Sequence, residues 1–125
     1  MDTTERNLAL VRDWEQLYNT DRNKLLDALY AVDCRVVYNG VVEINGRETL
    51  REHQVRTDEH APHRELAVER VHAIGDTVVV EFVVHMHMDH ATTAFGSCVV
   101  LTFRDGKIIE DHTYADTRSA SLDGE

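Results

Sequence analysis

No apolar run in the 125-residue sequence extends beyond a few positions, far short of the roughly 20 needed to cross a bilayer. Cysteine is nearly missing. Cys34 and Cys98 stand far apart without CxxC spacing, which argues against a disulfide scaffold or a thiolate zinc site and leaves both as expected small buried hydrophobes. Basic residues are outnumbered 13 to 23, and a net charge of −10 goes against the clustered Lys and Arg that nucleic acid or an anionic membrane surface requires. There is no Gly-rich phosphate loop, GxSxG elbow, HExxH pair or Walker sequence, so nucleotide, serine-hydrolase and zinc-protease chemistries are set aside. The opening MDTTERNLALVRDWEQ is acidic and polar where a secretory signal places a basic patch and an apolar stretch, and a cytoplasmic address is the expectation.

What is present is an ordinary globular composition, 42% hydrophobic and 29% charged. The length suits one core that buries roughly two-thirds of the unfolded surface, so one domain over residues 1–125 is expected, frayed from about residue 117. Leu8, Val11, Trp14, Leu17 and Tyr18 share one face of a helix from about Thr4 to Asn19. Leu25, Leu26, Leu29 and Tyr30 repeat the pattern in a shorter helix that Asp21 or Thr20 can cap. A strand follows from Cys34 to Val37 or Asn39, and a brief one from Val41 to Ile44. Asn45 and Glu48 have the spacing of a capping pair for a third helix over Arg47 to Glu59, stopped near Pro62. Strands are expected over Glu65 to Ile74, Thr77 to Met88, Phe95 to Phe103 and Lys107 to Tyr114, with a loop near Ala91 to Ala94. The fold class is therefore α+β, with leading helices packed on a mainly antiparallel sheet.

Alternation assigns the faces. Val78, Val80, Phe82, Val84, Met86 and Met88 form the inward set of their strand, leaving His85 and His87 outside. Val99, Leu101 and Phe103 point inward in the next strand and bring Ser97 with them. The last strand is ambiguous. A two-residue Asp105-Gly106 turn pairs Phe103 with Ile108 and points Glu110 and His112 inward, whereas a three-residue loop pairs Phe103 with Lys107 and points Ile109, Asp111 and Thr113 inward.

Asn19-Thr20-Asp21 through Ala31-Val32-Asp33, Asn45-Gly46-Arg47-Glu48, and Asp105-Gly106-Lys107-Ile108 followed by Tyr114 and Asp116 are similar to the SnoaL-like and ketosteroid-isomerase-like branch of the NTF2-like superfamily. The resemblance covers nearly the whole chain. It implies a cone in which a curved sheet wraps helices around a deep apolar pocket, and a homodimer through the outer sheet face; a small apolar molecule as partner and no organic cofactor are the expectations that accompany it. The isomerase base position holds Tyr38, and the two oxyanion-donor positions hold Trp14 and Val99, so a steroid-isomerase mechanism is not expected. The cyclase aspartate position holds Thr113, and its polar partners fall at Ser97 and Val99. The resemblance also selects the longer turn, which makes Asp111 pocket-lining, and puts His53 where relatives carry an aromatic residue.

A carboxylate and an imidazole form a workable acid-base pair if they meet, so His53, Asp111 and Tyr38 are the catalytic candidates, Tyr38 as a phenol donor to a carbonyl oxygen. Trp14, Tyr18, Tyr30, Phe82, Met86, Ser97, Val99 and Thr113 are candidate lining; for the aromatic ones, ordinary core packing is the competing reading. The expected function is isomerisation, cyclisation or dehydration of an apolar carbonyl compound, with a non-catalytic binding or dimerisation module as the alternative. His85 and His87 could share a metal with a third ligand such as His112, but an HxH pair on the outer sheet face is the simpler account and no metal site is assigned.

Overall fold

The computed structural model describes residues 2–87 and 91–116. Helix α1 (Thr3–Thr20) is capped by Asp2, whose carboxylate accepts from the Glu5 amide, and buries Val11 and Trp14. Helix α2 (Arg22–Leu29) is capped by Asp21, as its sequence suggests, and buries Leu25, Leu26 and Leu29. Strand β1 (Tyr30–Tyr38) follows without a loop and β2 (Val42–Asn45) returns against it; α3 (Arg47–His60) and strands β3 (Arg64–Ile74), β4 (Thr77–His87), β5 (Thr92–Arg104) and β6 (Lys107–Ala115) complete the order. The sheet runs β2-β1-β6-β5-β4-β3, antiparallel except for the β1–β6 pair.

Several boundaries differ from the sequence reading, each for a local reason. Tyr30 is extended (φ −100°, ψ 133°) and pairs with Ile108, so β1 starts there and not at Cys34. Helix α3 begins after Gly46, whose φ of 94° few other residues adopt, and no side chain caps it; the Asn45–Glu48 capping pair does not form. Strand β5 starts at Thr92 because Thr92 and Thr93 pair with His87 and Met86. Cys34 is buried as expected, but Cys98 is only half-buried. Met88, expected inward, and the tail from residue 117 lie outside the described residues.

The β5–β6 hairpin resolves the parity question in a third way. Asp105 (φ 52°) and Gly106 (φ 76°) form a two-residue turn, with Arg104 facing Lys107 and Phe103 facing Ile108. The register then shifts so that Thr102 faces Glu110, which leaves Ile109 as a bulge residue. One extra residue reverses the alternation: Ile108 is buried above the bulge and Asp111 below it. The turn is the short one, yet Asp111 still points inward, and Glu110 and His112 do not. The core is one cluster that joins α1 and α2 to the inner sheet face through Trp14, Leu26, Val80, Val99, Leu101 and Phe103. Among the described residues, no helix is long and apolar enough to cross a membrane.

Candidate functional site

Between the helices and the concave sheet face lies a cavity of about 310 Å³, at the lower end of the range for small-ligand sites. Trp14 and Tyr18 of α1, Tyr30 and Tyr38 of β1, and His53 of α3 border it. Phe82 and Met86 of β4, Ser97 of β5, and Asp111 and Thr113 of β6 supply the sheet side. Val99 does not border it: the side chain is fully buried within the core, a correction to its assignment as lining.

Asp111 is the polar centre of the cavity. It is 5% exposed, and its carboxylate accepts from the Tyr30 hydroxyl at 2.7 Å and from the Thr113 hydroxyl at 2.7 Å. The Trp14 indole N–H donates to the Tyr30 oxygen at 3.3 Å, which extends the chain to α1. Burial raises the Asp111 carboxyl above the ordinary aspartate range, against the lowering effect of the Thr113 and Tyr30 hydrogen bonds. Burial and the neighbouring Asp111 likewise push the Tyr30 phenol well up, so it stays protonated and donating.

His53 and Asp111 are not hydrogen-bonded, and the expected acid-base pair does not form. The His53 ring stacks on Tyr38, with centroids 5.5 Å apart and planes 25° from parallel. Burial and the nearby Arg56 charge lower its pKa, so it is a neutral ring in the wall. Tyr38 faces Thr113 in register and Val36 faces Asp111, so the Tyr38 phenol and the Asp111 carboxylate project to the same face from adjacent strands. Burial and Asp111 raise the Tyr38 pKa, and its hydroxyl has no hydrogen-bond partner among the described residues. The Ser97 hydroxyl oxygen is buried without a partner as well.

Sequence reasoning missed Arg64, which is 5% exposed and borders the cavity. An arginine at the start of a strand reads as a solvated boundary residue, and its partners Tyr18 and Asp58 come from α1 and α3. The three-histidine metal arrangement does not occur. His112 faces Val100, which faces Val79, and His85 lies six residues farther along β4, about 20 Å away at the usual strand rise. Among the described residues, no group of three metal-ligating side chains converges.

The SnoaL-like domain profile matches residues 11–111. The chain belongs to the SnoaL-like family. This SnoaL-like domain superposes with a TM-score of 0.88 on a candidate SnoaL-like polyketide cyclase from Jannaschia sp. CCS1, at 17% identity over 98% of this chain and 94% of that one. It is similar also to an LEH-like epoxide hydrolase of M. tuberculosis, with TM-score 0.83, 19% identity, and coverage of 97% and 90%. A Catenulispora acidiphila protein with a ketosteroid-isomerase-like fold, crystallised with trimethylamine, gives TM-score 0.80, 22% identity and coverage of 92% of each chain. These likenesses establish the NTF2-like fold that the SnoaL-like domain shares with proteins of differing chemistry. No curated protein sequence matches.

Proposed function

We propose that this SnoaL-like domain is a cofactor-independent acid-base enzyme acting on a small carbonyl compound. The observation that carries the reading is the Asp111 carboxylate, 5% exposed, held by two hydroxyl donors at an apolar cavity, with the unpartnered Tyr38 phenol on the same face. Asp111 removes a proton from the carbon next to the carbonyl; the C–H electron pair becomes the enolate double bond, and charge moves to the oxygen, where the Tyr38 O–H donates. The proton then sits on Asp111 and is returned to carbon in an isomerisation or to a departing hydroxyl in a dehydration; in a cyclisation the enolate carbon attacks a second carbonyl of the same molecule, whose π pair moves to its oxygen and takes up the proton held by Asp111. A raised carboxyl is a stronger base than an exposed one once ionised, and burial supplies that rise. His53 serves as a wall for the substrate ring, since it stacks on Tyr38 and does not meet Asp111.

The test is exchange of the methyl protons of acetophenone in D2O, followed by proton NMR. Exchange faster than in buffer is expected, falling about 100-fold or more in Asp111→Asn while binding, read from the fluorescence of the lone Trp14, is retained. Binding without exchange in the native protein favours the alternative, a ligand-binding module in which Asp111 only closes a buried hydrogen-bond network.

We also propose that the outer sheet face pairs two copies of the chain. Val79 and Val100 face each other there, half-buried, beside His112. Sedimentation velocity should give a dimer that Val100→Asp dissociates; a monomer at all concentrations contradicts the pairing.

A further inference from the structure

Among the described residues, Arg64 is the one side chain bordering the cavity that is always cationic, and its surroundings there leave it with unused capacity. Its Nε–H donates to the Tyr18 hydroxyl at 2.8 Å, one Nη1–H donates to the Ala61 carbonyl at 3.0 Å, and Nη2 lies 3.0 Å from Asp58. A guanidinium has five N–H groups, so one on each terminal nitrogen stays uncommitted. The charge is unbalanced too. Asp58 Oδ1 is shared with Arg22, whose Nε lies 2.8 Å from it, so two guanidiniums face one carboxylate, and both guanidiniums sit 5.5 Å from the centre of the Tyr18 ring. Asp21, next to Arg22, is turned to the Lys24 amide as the α2 cap, and Glu65, next to Arg64, is exposed on the opposite face of β3, where it faces His85. Tyr18 adds a second donor: its oxygen is taken by Arg64, and its own hydrogen has no acceptor among the described residues.

Asp111 and this cluster border the same cavity, and the Tyr38 phenol, whose pKa burial raises, lies within electrostatic reach of both, raised further by Asp111 and lowered by Arg64. Asp111 faces Leu101, which faces Val78 on β4, whereas Arg64 faces Met86 on the same strand. The cavity therefore has an anionic end and a cationic end, with Phe82 and Val84 on β4 between them. We propose that the natural ligand carries an ionised carboxylate, gripped by Arg64 and Tyr18, in addition to the carbonyl group presented to Asp111 and Tyr38: the substrate is a keto acid. A charge-assisted pair at a site with 2% side-chain exposure competes weakly with water and holds the ligand's orientation along the cavity. The proposal rests on the carbonyl reading only for which end reacts; the grip on the carboxylate is independent of it.

The test compares 4-acetylbenzoate with its neutral isostere 4-acetylbenzamide by titration calorimetry. The native protein is expected to bind the carboxylate at least about tenfold more tightly, a ratio that corresponds to about 1.4 kcal/mol. Arg64→Gln should bring the ratio close to one, Tyr18→Phe should reduce it several-fold, and Asp111→Asn should leave it intact or enlarge it. If Arg64→Gln does not fold, as judged by near-ultraviolet circular dichroism, then Arg64→Lys and Tyr18→Phe decide the matter, because both should retain the fold and lower the ratio. Equal binding of the two compounds by the native protein, binding of neither, or an unchanged ratio in the folded variants overturns the proposal. Methyl-proton exchange separates the two readings. Carboxylate preference without exchange keeps this proposal and removes the acid-base one, and exchange without preference does the reverse.

Discussion

Tyr30 and Asp111, 81 positions apart in sequence, are joined by a 2.7 Å hydrogen bond from the phenol to carboxylate Oδ2. The contact exists because β1 begins directly at the end of α2 and runs parallel to β6, which places the first residue of one strand beside the inward face of the other. Tyr30→Phe removes the donor and leaves the Trp14 indole N–H without its acceptor, at a cost of about 1–3 kcal/mol for the unpaired buried groups. It also removes one of the two hydrogen bonds that lower the Asp111 carboxyl, so the acid limb of the exchange rate should move to higher pH. Chemical denaturation and a pH profile check both; an unchanged profile removes Tyr30 as a positioning residue.

Stability should vary with pH in a direction set by Asp111. Its folded pKa lies above the unfolded value near 3.9, so between the two the folded state holds more protons, and stability falls as pH rises through that window. Above the folded pKa the full penalty of the buried charge persists. Asp111→Asn should therefore raise Tm at pH 7, about 4 °C for each kcal/mol recovered, with the gain shrinking as pH falls below the folded pKa. A scanning calorimetry series that finds the variant less stable at pH 7 contradicts this sign.

His53 should tolerate replacement by an aromatic ring. His53→Phe keeps the stack on Tyr38 and should leave kcat within about twofold, whereas His53→Ala removes the wall and should raise KM by about tenfold, worth roughly 1.4 kcal/mol of contact. A collapse of kcat in His53→Phe, with KM unchanged, restores the imidazole as a proton carrier.

How much of this could be read in the residue order depends on the element. Strand β4 was legible in its faces over the described residues, because Val78, Val80, Phe82 and Val84 alternate with Glu81, His85 and His87, and the structure buries the first set and leaves Met86 half-buried at the cavity. The inward orientation of Asp111 was not legible from periodicity. A bulge at Ile109 reverses parity within the strand, and nothing in Lys107-Ile108-Ile109-Glu110 marks which residue will be unpaired. The resemblance to relatives reached the right face through the wrong turn. The start of β1 at Tyr30 was hidden because Leu26, Leu29 and Tyr30 have helical spacing, and tertiary pairing with Ile108 overrides it. Arg64 was hidden for a different reason: its burial depends on Tyr18 and Asp58, 46 and 6 positions away, meeting it from two helices.

The most direct measurement of the central claim is the titration of the Asp111 carboxyl carbon by NMR, with Asp111→Asn to assign the resonance. A midpoint above the ordinary aspartate value of about 3.9 is expected, together with a further displacement when a ketone occupies the cavity. A carboxyl that titrates at or below that value, and does not respond to any cavity ligand, contradicts the assignment of Asp111 as the base.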